Sequence, residues 1–490
     1  MKTPTTGTSM PLGLALFPVL VLIVLLAADV IAFGEDSSYG ANQIAMLLAA
    51  FVSGCIGMAR GLKWNVISEA IAKSVSQTSE ALLILLLIGA LSGAWLVAGI
   101  IPAFIHYGLQ IMEPGIFLFA ACLICAVLSL ATGSSWGTVG TVGVALIGIG
   151  TALGLNLGWV AGAIISGAYF GDKMSPLSDT TNIAPAVAGT DLFTHIRYMT
   201  YTTVPSLSIA LIVFLIAGFG GGASDAPFNE SFAQGYGEAV MNTFHIHAGL
   251  FIAPIAVIVL IARKVAAAPA LFIGILLSVV TAIVFQPEII RSVSGIAADQ
   301  GSYALASFTA SIQAMALDTA IVTGNALADE LLTSGGMHGM LNTVWLILCA
   351  MVFGAVMQAT GMLARITSAI LHGVNTTFGL VARTTGTCLA FNILASDQYL
   401  AIVVPGNMLK DAYAKQGLAP ENLSRTLEDT GTVTSVLIPW NTCGVAQSGI
   451  LGISTWTYLP YCIFNLVSPL MTLVVAFVGF RIRKLPGNAS

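Results

Sequence analysis

Charge is what this sequence has least of. Of its 490 residues, 8% are charged and 57% are hydrophobic. Soluble domains carry about 25% charged residues, so a soluble enzyme is excluded, and so is a disordered chain. Seventeen Lys and Arg against 22 Asp and Glu leave a net charge of −5, which excludes a nucleic-acid partner. Cysteine is scarce too, at seven. Cys122 and Cys125 sit three apart with no second pair and no nearby histidine, so they read as buried packing residues and not as a metal pair. No His-Glu-x-x-His and no Ser-His-Asp grouping is present. Gly133, Gly137 and Gly140 lack the preceding strand and the following Lys-Ser/Thr of a phosphate loop. Enzyme chemistry and a bound cofactor are therefore not expected. No Ala-x-Ala site follows Leu12 to Val30, a stretch too long for a signal-peptide core, so it reads as a retained span.

What remains is apolar sequence. About 20 such residues cross a bilayer as a helix, and the chain holds many such runs. The fold class is an all-α polytopic membrane protein, with the lipid bilayer as its solvent. Spans are expected at about 11–33, 43–59 and 81–107. Two shorter arms, 115–131 and 137–153, flank Thr132-Gly133-Ser134-Ser135-Trp136-Gly137. An interrupted segment over 159–190 and a span at 201–219 follow. Residues 220–244, with Gly220-Gly221-Gly222, read as an extracytoplasmic linker. The order then recurs: spans at 245–263, 267–285 and 341–361, arms at 378–394 and 399–415, an interrupted segment at 423–453, and a last span at 457–480. Segments 64–80 and 300–333 read as amphipathic helices lying at the interface.

The two halves align over 132–204 and 395–467 at an offset of 263, without a gap. Gly143 meets Gly406, Pro176 meets Pro439 and Gly189 meets Gly452. Tip falls on tip and helix break on helix break. Five crossings and one re-entrant hairpin per half make the repeats inverted, an arrangement that puts a transport site where discontinuous helices meet. The first repeat is 1–219 and the second 245–484. Basic residues fix the orientation. With the N-terminus inside, Arg60, Lys63, Lys73, Arg197, Arg263, Lys264, Arg365, Lys410, Lys415, Arg425, Arg481, Arg483 and Lys484 are cytoplasmic. Only Arg291 falls clearly outside, with the acidic Glu35-Asp36 and Asp329-Glu330. Both termini are then cytoplasmic.

The most informative run is Gly167 to Asn182. Pro176 should break its helix. Broken backbone at membrane depth is tolerated only where it is buried in protein or lines a cavity. Ser178, Asp179, Thr180 and Asn182 add oxygens to the freed carbonyls, a set suited to a small hard cation. Ser178, Asp179 and Thr180 are the candidate cation ligands. Asp172 and Lys173 are intramembrane charges and hence functional candidates. As sequence neighbours they do not face each other on a regular helix. Each needs its own partner, or the backbone must unwind. With Asp179 they form the candidate proton-coupling set. The matching break, Ile438 to Gly444, offers Asn441 and Thr442 but no acid. Glu428-Asp429 precede it and align with Ile165-Ser166. The wider ion- or substrate-binding set adds Ser134, Ser135 and Thr138 at the first tip, Ser396 and Asp397 at the second, and Asp429. Asp429 also suits a helix-terminal charge. The histidines lie mostly near span ends, and Asp29 reads as interfacial.

The run 166–197, Ser-Gly-Ala-Tyr-Phe-Gly-Asp-Lys-Met-Ser-Pro-Leu-Ser-Asp-Thr-Thr-Asn through Gly189-Thr-Asp191 to His195-Ile-Arg197, resembles the signature of the NhaC-type sodium/proton antiporter family. Thr132 to Thr138 fits the same family. The resemblance implies two inverted repeats with re-entrant hairpins, a homodimer in the cell's inner (plasma) membrane, and alternating, elevator-like access. It implies exchange of Na⁺ for H⁺, both as cargo. The family also holds malate/lactate exchangers and probable amino-acid carriers, so a sodium-coupled carrier of a small organic acid or amino acid is the alternative. A passive channel or scaffold is the third reading, and saturable counterflow separates it from the others.

Overall fold

The computed structural model describes residues 10–33, 37, 39–111, 113–220, 230–263, 265–370 and 376–485. Glu35, Asp36, Lys264 and His372 lie outside the described residues.

The chain is helical almost throughout. The first half runs α1 (Leu12–Phe33), α2 (Ala41–Ala59), α3 (Trp64–Val97), α4 (Ile100–Ile111), α5 (Pro114–Thr132), α6 (Ser135–Thr138), α7 (Val144–Ala152), α8 (Leu157–Met174), α9 (Asp179–Ala188) and α10 (Leu192–Phe219). After it come α11 (Glu230–Thr243), α12 (Ile252–Ala262), α13 (Ala267–Phe285), α14 (Pro287–Ser294) and α15 (Tyr303–Ala316). A two-residue antiparallel pair, β1 (Thr319–Ala320) and β2 (Thr333–Ser334), brackets α16 (Ala326–Leu331). Then follow α17 (Gly336–Ala359), α18 (Met362–Ile370), α19 (Thr377–Leu394), α20 (Gln398–Lys415), α21 (Pro420–Leu427), α22 (Thr442–Leu451), α23 (Thr455–Tyr458) and α24 (Ile463–Val478). Among the described residues eight helices are long and apolar enough to cross a membrane, or ten if two bent pairs each count as one span. The fold is all-α and polytopic. Their lipid-type faces stay bare: Phe51, Ile216 and Phe477 are exposed.

The helical plan recurs at the offset of 263. Gly133 and Ser396 both take positive φ (70° and 56°), as do Gly154 and Gly417 (70° and 68°) and Gly189 and Gly452 (91° and 67°). The helix N-caps coincide too: Ser134 with Asp397, and Ser178 with Asn441. Left-handed residues end helices and caps start them, so the same starts and stops are written into both halves.

Four expectations change. Residues 64–80 are not a separate interfacial helix; they are the first turns of α3, since no Gly or Pro interrupts 64–88. The expected span 81–107 divides at Gly99, whose φ of 76° ends α3 before α4 begins. The linker 220–244 contains a helix, α11, whose residues Gly235–Thr243 meet Ala248–Ala262 at a bend of 86°. Segment 300–333 is the helix α15 followed by the β pair. The helix buries Ala306, Ala310 and Ala314 and leaves Leu305, Phe308 and Ile312 exposed.

Around α3 the packing depends on small residues. A methyl group at Gly93 would strike the Ala314 carbonyl of α15, and one at Gly89 the Gly336 carbonyl of α17. On α8, Gly167 and Gly171 let the backbone of α5 approach at Cys122 and Ala126. The seven cysteines are free, and all but Cys55 are buried. Gly93→Leu should destabilise by about 1–3 kcal/mol through overpacking, read as a lower unfolding midpoint of the purified protein in detergent. Gly386→Ala, where an added methyl meets nothing within 4 Å, should stay within about 0.5 kcal/mol. Equal midpoints for the two variants would refute the close α3–α15 contact.

Candidate functional site

Each hairpin tip lies against its own helix break. In the first half, α5 stops at Gly133, and a methyl there would sit 2.6 Å from Leu177 Cβ and 2.9 Å from the Ser178 nitrogen. Ser134 caps α6 by accepting from the Gly137 N–H at 3.0 Å, and Thr138 Oγ1 donates to the Ser134 carbonyl at 2.9 Å. In the second half, the Thr442 N–H donates to the Ser396 carbonyl at 3.0 Å. Trp440 Nε1 donates to the Ile393 carbonyl at 2.8 Å, and Asn441 Nδ2 to the Asn392 carbonyl at 3.0 Å. Asn441 Oδ1 caps α22 on the Cys443 N–H. Asp397 caps α20, accepting from the Leu400 N–H at 2.9 Å. Ser134, Asp397 and Asn441 thus hold helix starts in place.

Helix α8 runs unbroken through Met174, so Asp172 and Lys173 point apart. Asp172 Oδ2 accepts from Ser135 Oγ at 2.7 Å, joining the break to the first tip. The residue is 7% exposed. Beyond the break, Ser178 and Thr180 hydroxyls are 3.2 Å apart and buried, while Asp179 and Asn182 are exposed. Asn182 Nδ2 donates to the Ser178 carbonyl at 2.7 Å and to the Pro176 carbonyl at 3.0 Å, so it braces the break. Helix α20, which begins at the second tip, packs against α9, which begins at the first break. The first break and both tips therefore form one cluster.

Lys173 turns the other way. It forms an ion pair with Asp429, and neither side chain has any exposure. Its Nζ also donates to Ser468 Oγ at 3.1 Å. Asp429 Oδ1 accepts from Thr202 at 3.1 Å and from Ser468 at 3.4 Å, and Oδ2 accepts from Thr472 at 2.6 Å. The pair ties α8 of the first half to the segment after α21 in the second, with α10 and α24 supplying hydroxyls. Thr202, Ser468 and Thr472 are absent from the expected set. Their signal was available: Asn465, Ser468 and Thr472 recur at i, i+3 and i+7 on otherwise apolar α24, which is one helix face.

Two further residues outside the expected set complete the neighbourhood. Gln398 Oε1 accepts from Ser435 Oγ at 3.3 Å and lies 2.6 Å from Cys443 Sγ. Asn392 Nδ2 bridges the Gly431 carbonyl at 2.8 Å and Thr434 Oγ1 at 2.9 Å. Both polar side chains support backbone that leaves the regular α-helix after Leu427.

Removing one member of a buried ion pair leaves the other charge uncompensated, at a cost of about 3–5 kcal/mol. Lys173→Met should therefore destabilise strongly, and Lys173→Met with Asp429→Asn should recover much of the loss. Denaturant unfolding of the three proteins checks this. No recovery in the double variant would mean that the two side chains do not depend on each other.

The chain matches the Na⁺/H⁺ antiporter family over residues 167–480. It is 34% identical over 442 residues to the Na⁺/H⁺ antiporter NhaC of Alkalihalophilus pseudofirmus, covering 90% of this chain and 91% of that one. It is 35% identical over 437 residues to the malate-2H⁺/Na⁺-lactate antiporter of Bacillus subtilis, covering 89% of each. The arginine/ornithine antiporter ArcD of Halobacterium salinarum is 32% identical, with 96% of this chain and 92% of that one covered.

Proposed function

From the premise that this chain belongs to the Na⁺/H⁺ antiporter family, we propose that it exchanges Na⁺ for H⁺ by alternating access. The observation that carries this reading is the setting of Asp172. Its carboxyl is buried at the contact of tip and break, faces hydroxyls, and has no cation of its own because Lys173 is engaged by Asp429. Burial disfavours a lone carboxylate charge. Asp172 is then neutral with a proton, or ionised with a sodium ion close by.

Ser178, Asp179 and Thr180 are the proposed sodium ligands, with Asp172 as the carrier of the competing proton. Asp429 is the counter-ion of Lys173 and no sodium ligand. One set of groups that takes either Na⁺ or H⁺, open to one side at a time, yields obligatory exchange. The halves are read as inverted repeats, with 1–219 as the first, 220–244 as an extracytoplasmic linker and 245–484 as the second. Both termini face the cytoplasm, and the chain works as a homodimer in the inner membrane. Hairpins 115–153 and 378–415 and the two broken helices are read as the moving unit, and the early helices of each half as its scaffold. A second reading, carriage of a small organic acid or amino acid, draws support from relatives named for malate, lactate, arginine and ornithine.

Proteoliposomes with an imposed pH gradient test both. Na⁺ should dissipate the gradient without any organic solute. Dissipation that requires malate, lactate or arginine would favour the second reading. Asp172→Asn and Asp179→Asn should each abolish the sodium response, whereas Asp29→Asn should keep it nearly intact. Wild-type rates in correctly inserted Asp172→Asn and Asp179→Asn proteins would refute the assignment. Cysteines placed at both ends of 115–153 should react from one side of the membrane, and those of 378–415 from the other. Labelling of one hairpin's ends from opposite faces would refute the re-entrant reading.

A further inference from the structure

One buried acid takes no part in the contacts described so far. Glu428 stands beside Asp429 and opens the π-helical stretch Glu428–Thr432. Such bulges recur at functional sites. Its side chain has no exposure. Neither carboxyl oxygen has a hydrogen-bond partner, and the Thr432 hydroxyl, four residues on, has none either. Lys173, Asp172 and Asp429 all act on it through space.

Asp429, the next residue in the chain, holds the buried Lys173. That lysine is committed to Asp429, whose two oxygens already hold Lys173, Thr202, Ser468 and Thr472. Among the described residues, the other helices packed against the bulge form no ion pair with Glu428. Helix α24 has no charged side chain. Lys410, Asp411 and Lys415 of α20 are exposed, and Tyr413 meets Thr384. On α19, Arg383 has its own interaction, and Cys388 is a buried thiol. Arg425 on α21 is buried with no hydrogen bond on its guanidinium; it stacks on Tyr198 at 4.6 Å and forms no ion pair with Glu428. Glu421 pairs with Arg483 at 2.9 Å, His195 of α10 meets the Ser424 hydroxyl at 2.8 Å, and Asp179 of α9 is exposed. An ionised carboxylate with neither a hydrogen bond nor a counter-ion is too costly to bury.

We infer that Glu428 is a second proton-carrying site of the transporter, distinct from Asp172, and that Glu428 and Asp429 compete for the single charge of Lys173. In the arrangement seen here Asp429 is ionised against Lys173 and Glu428 carries the proton. If Lys173 turns to Glu428, the Glu428 proton leaves as H⁺, and Asp429 keeps the hydrogen bonds from Thr202, Ser468 and Thr472. The lysine stays charged throughout and no other reactant is needed. The inference rests on the Na⁺/H⁺ reading and deepens it: a proton bound at Glu428 is additional to the one that sodium displaces at Asp172.

Two measurements test it on the purified full chain, with E428Q and E428D. The first is infrared absorption of protonated carboxyls at neutral pH. The wild type should show a carboxylic C=O band that E428Q lacks and E428D shifts. A band unchanged in both variants would overturn the inference, whatever the transport activity. The second counts protons released per Na⁺ bound, in weakly buffered detergent solution. E428Q should still bind Na⁺ but release about one proton fewer, and E428D should restore the wild-type count. An equal count in E428Q and wild type would overturn the role of Glu428 and leave the Na⁺/H⁺ reading standing. No Na⁺-linked release in the wild type would overturn both. Should E428Q fail to fold, the E428D band shift alone decides: its presence supports the protonated site and its absence refutes it.

Discussion

Much of the interior is organised by the charge of Lys173. A lysine with no exposure must be paired, because desolvating an ammonium ion costs several kcal/mol. Its partner, Asp429, lies 256 residues away in the other half of the chain. The pair therefore joins the halves. It also accounts for polar side chains on otherwise apolar helices: Thr202 on α10 and Ser468 and Thr472 on α24 satisfy the lone pairs that the lysine leaves open. Burying an ion pair is weak evidence for stability as such. What it fixes is the register of α8 against α21 and α24.

The same pair sets the electrostatics of the site. Sequence neighbours on an intact helix diverge by about 100°, since 3.6 residues complete a turn. Lys173 therefore points into the seam between the halves while Asp172 points to the hairpin tip. With its charge answered by Asp429, the lysine does not act as counter-ion to Asp172. The carboxyl is left with the Ser135 hydroxyl as its hydrogen-bond partner.

The tips and breaks follow from local chemistry that the long-range packing then uses. Gly133, Gly189, Gly417 and Gly452 end helices in the left-handed region, where glycine meets no Cβ penalty. Ser396 adopts that region at φ 56° without being glycine. Its carbonyl accepts from Thr442 at the break of the same half, so a tertiary contact holds a turn that local preference disfavours.

The class, the positions of most helices, the two breaks and the two tips were legible in the sequence, because hydropathy, proline and glycine act over a few residues. The doubling was legible for the same reason: caps and left-handed glycines recur at a fixed offset. Helix geometry also left two options for Asp172 and Lys173, separate partners or an unwound backbone, and only the structure chose the first. Where the pattern misled, the cause was length. Residues 64–80 are polar enough to suggest an interfacial helix, yet nothing in them stops α3. The identity of the partners was not legible. That Lys173 meets Asp429, that Ser135 and not Ser134 meets Asp172, and that Glu428 is sealed away with no hydrogen bond are outcomes of packing between segments hundreds or tens of residues apart. Sequence spacing sets which face of a helix a side chain takes. Only the tertiary structure decides what waits on the other side.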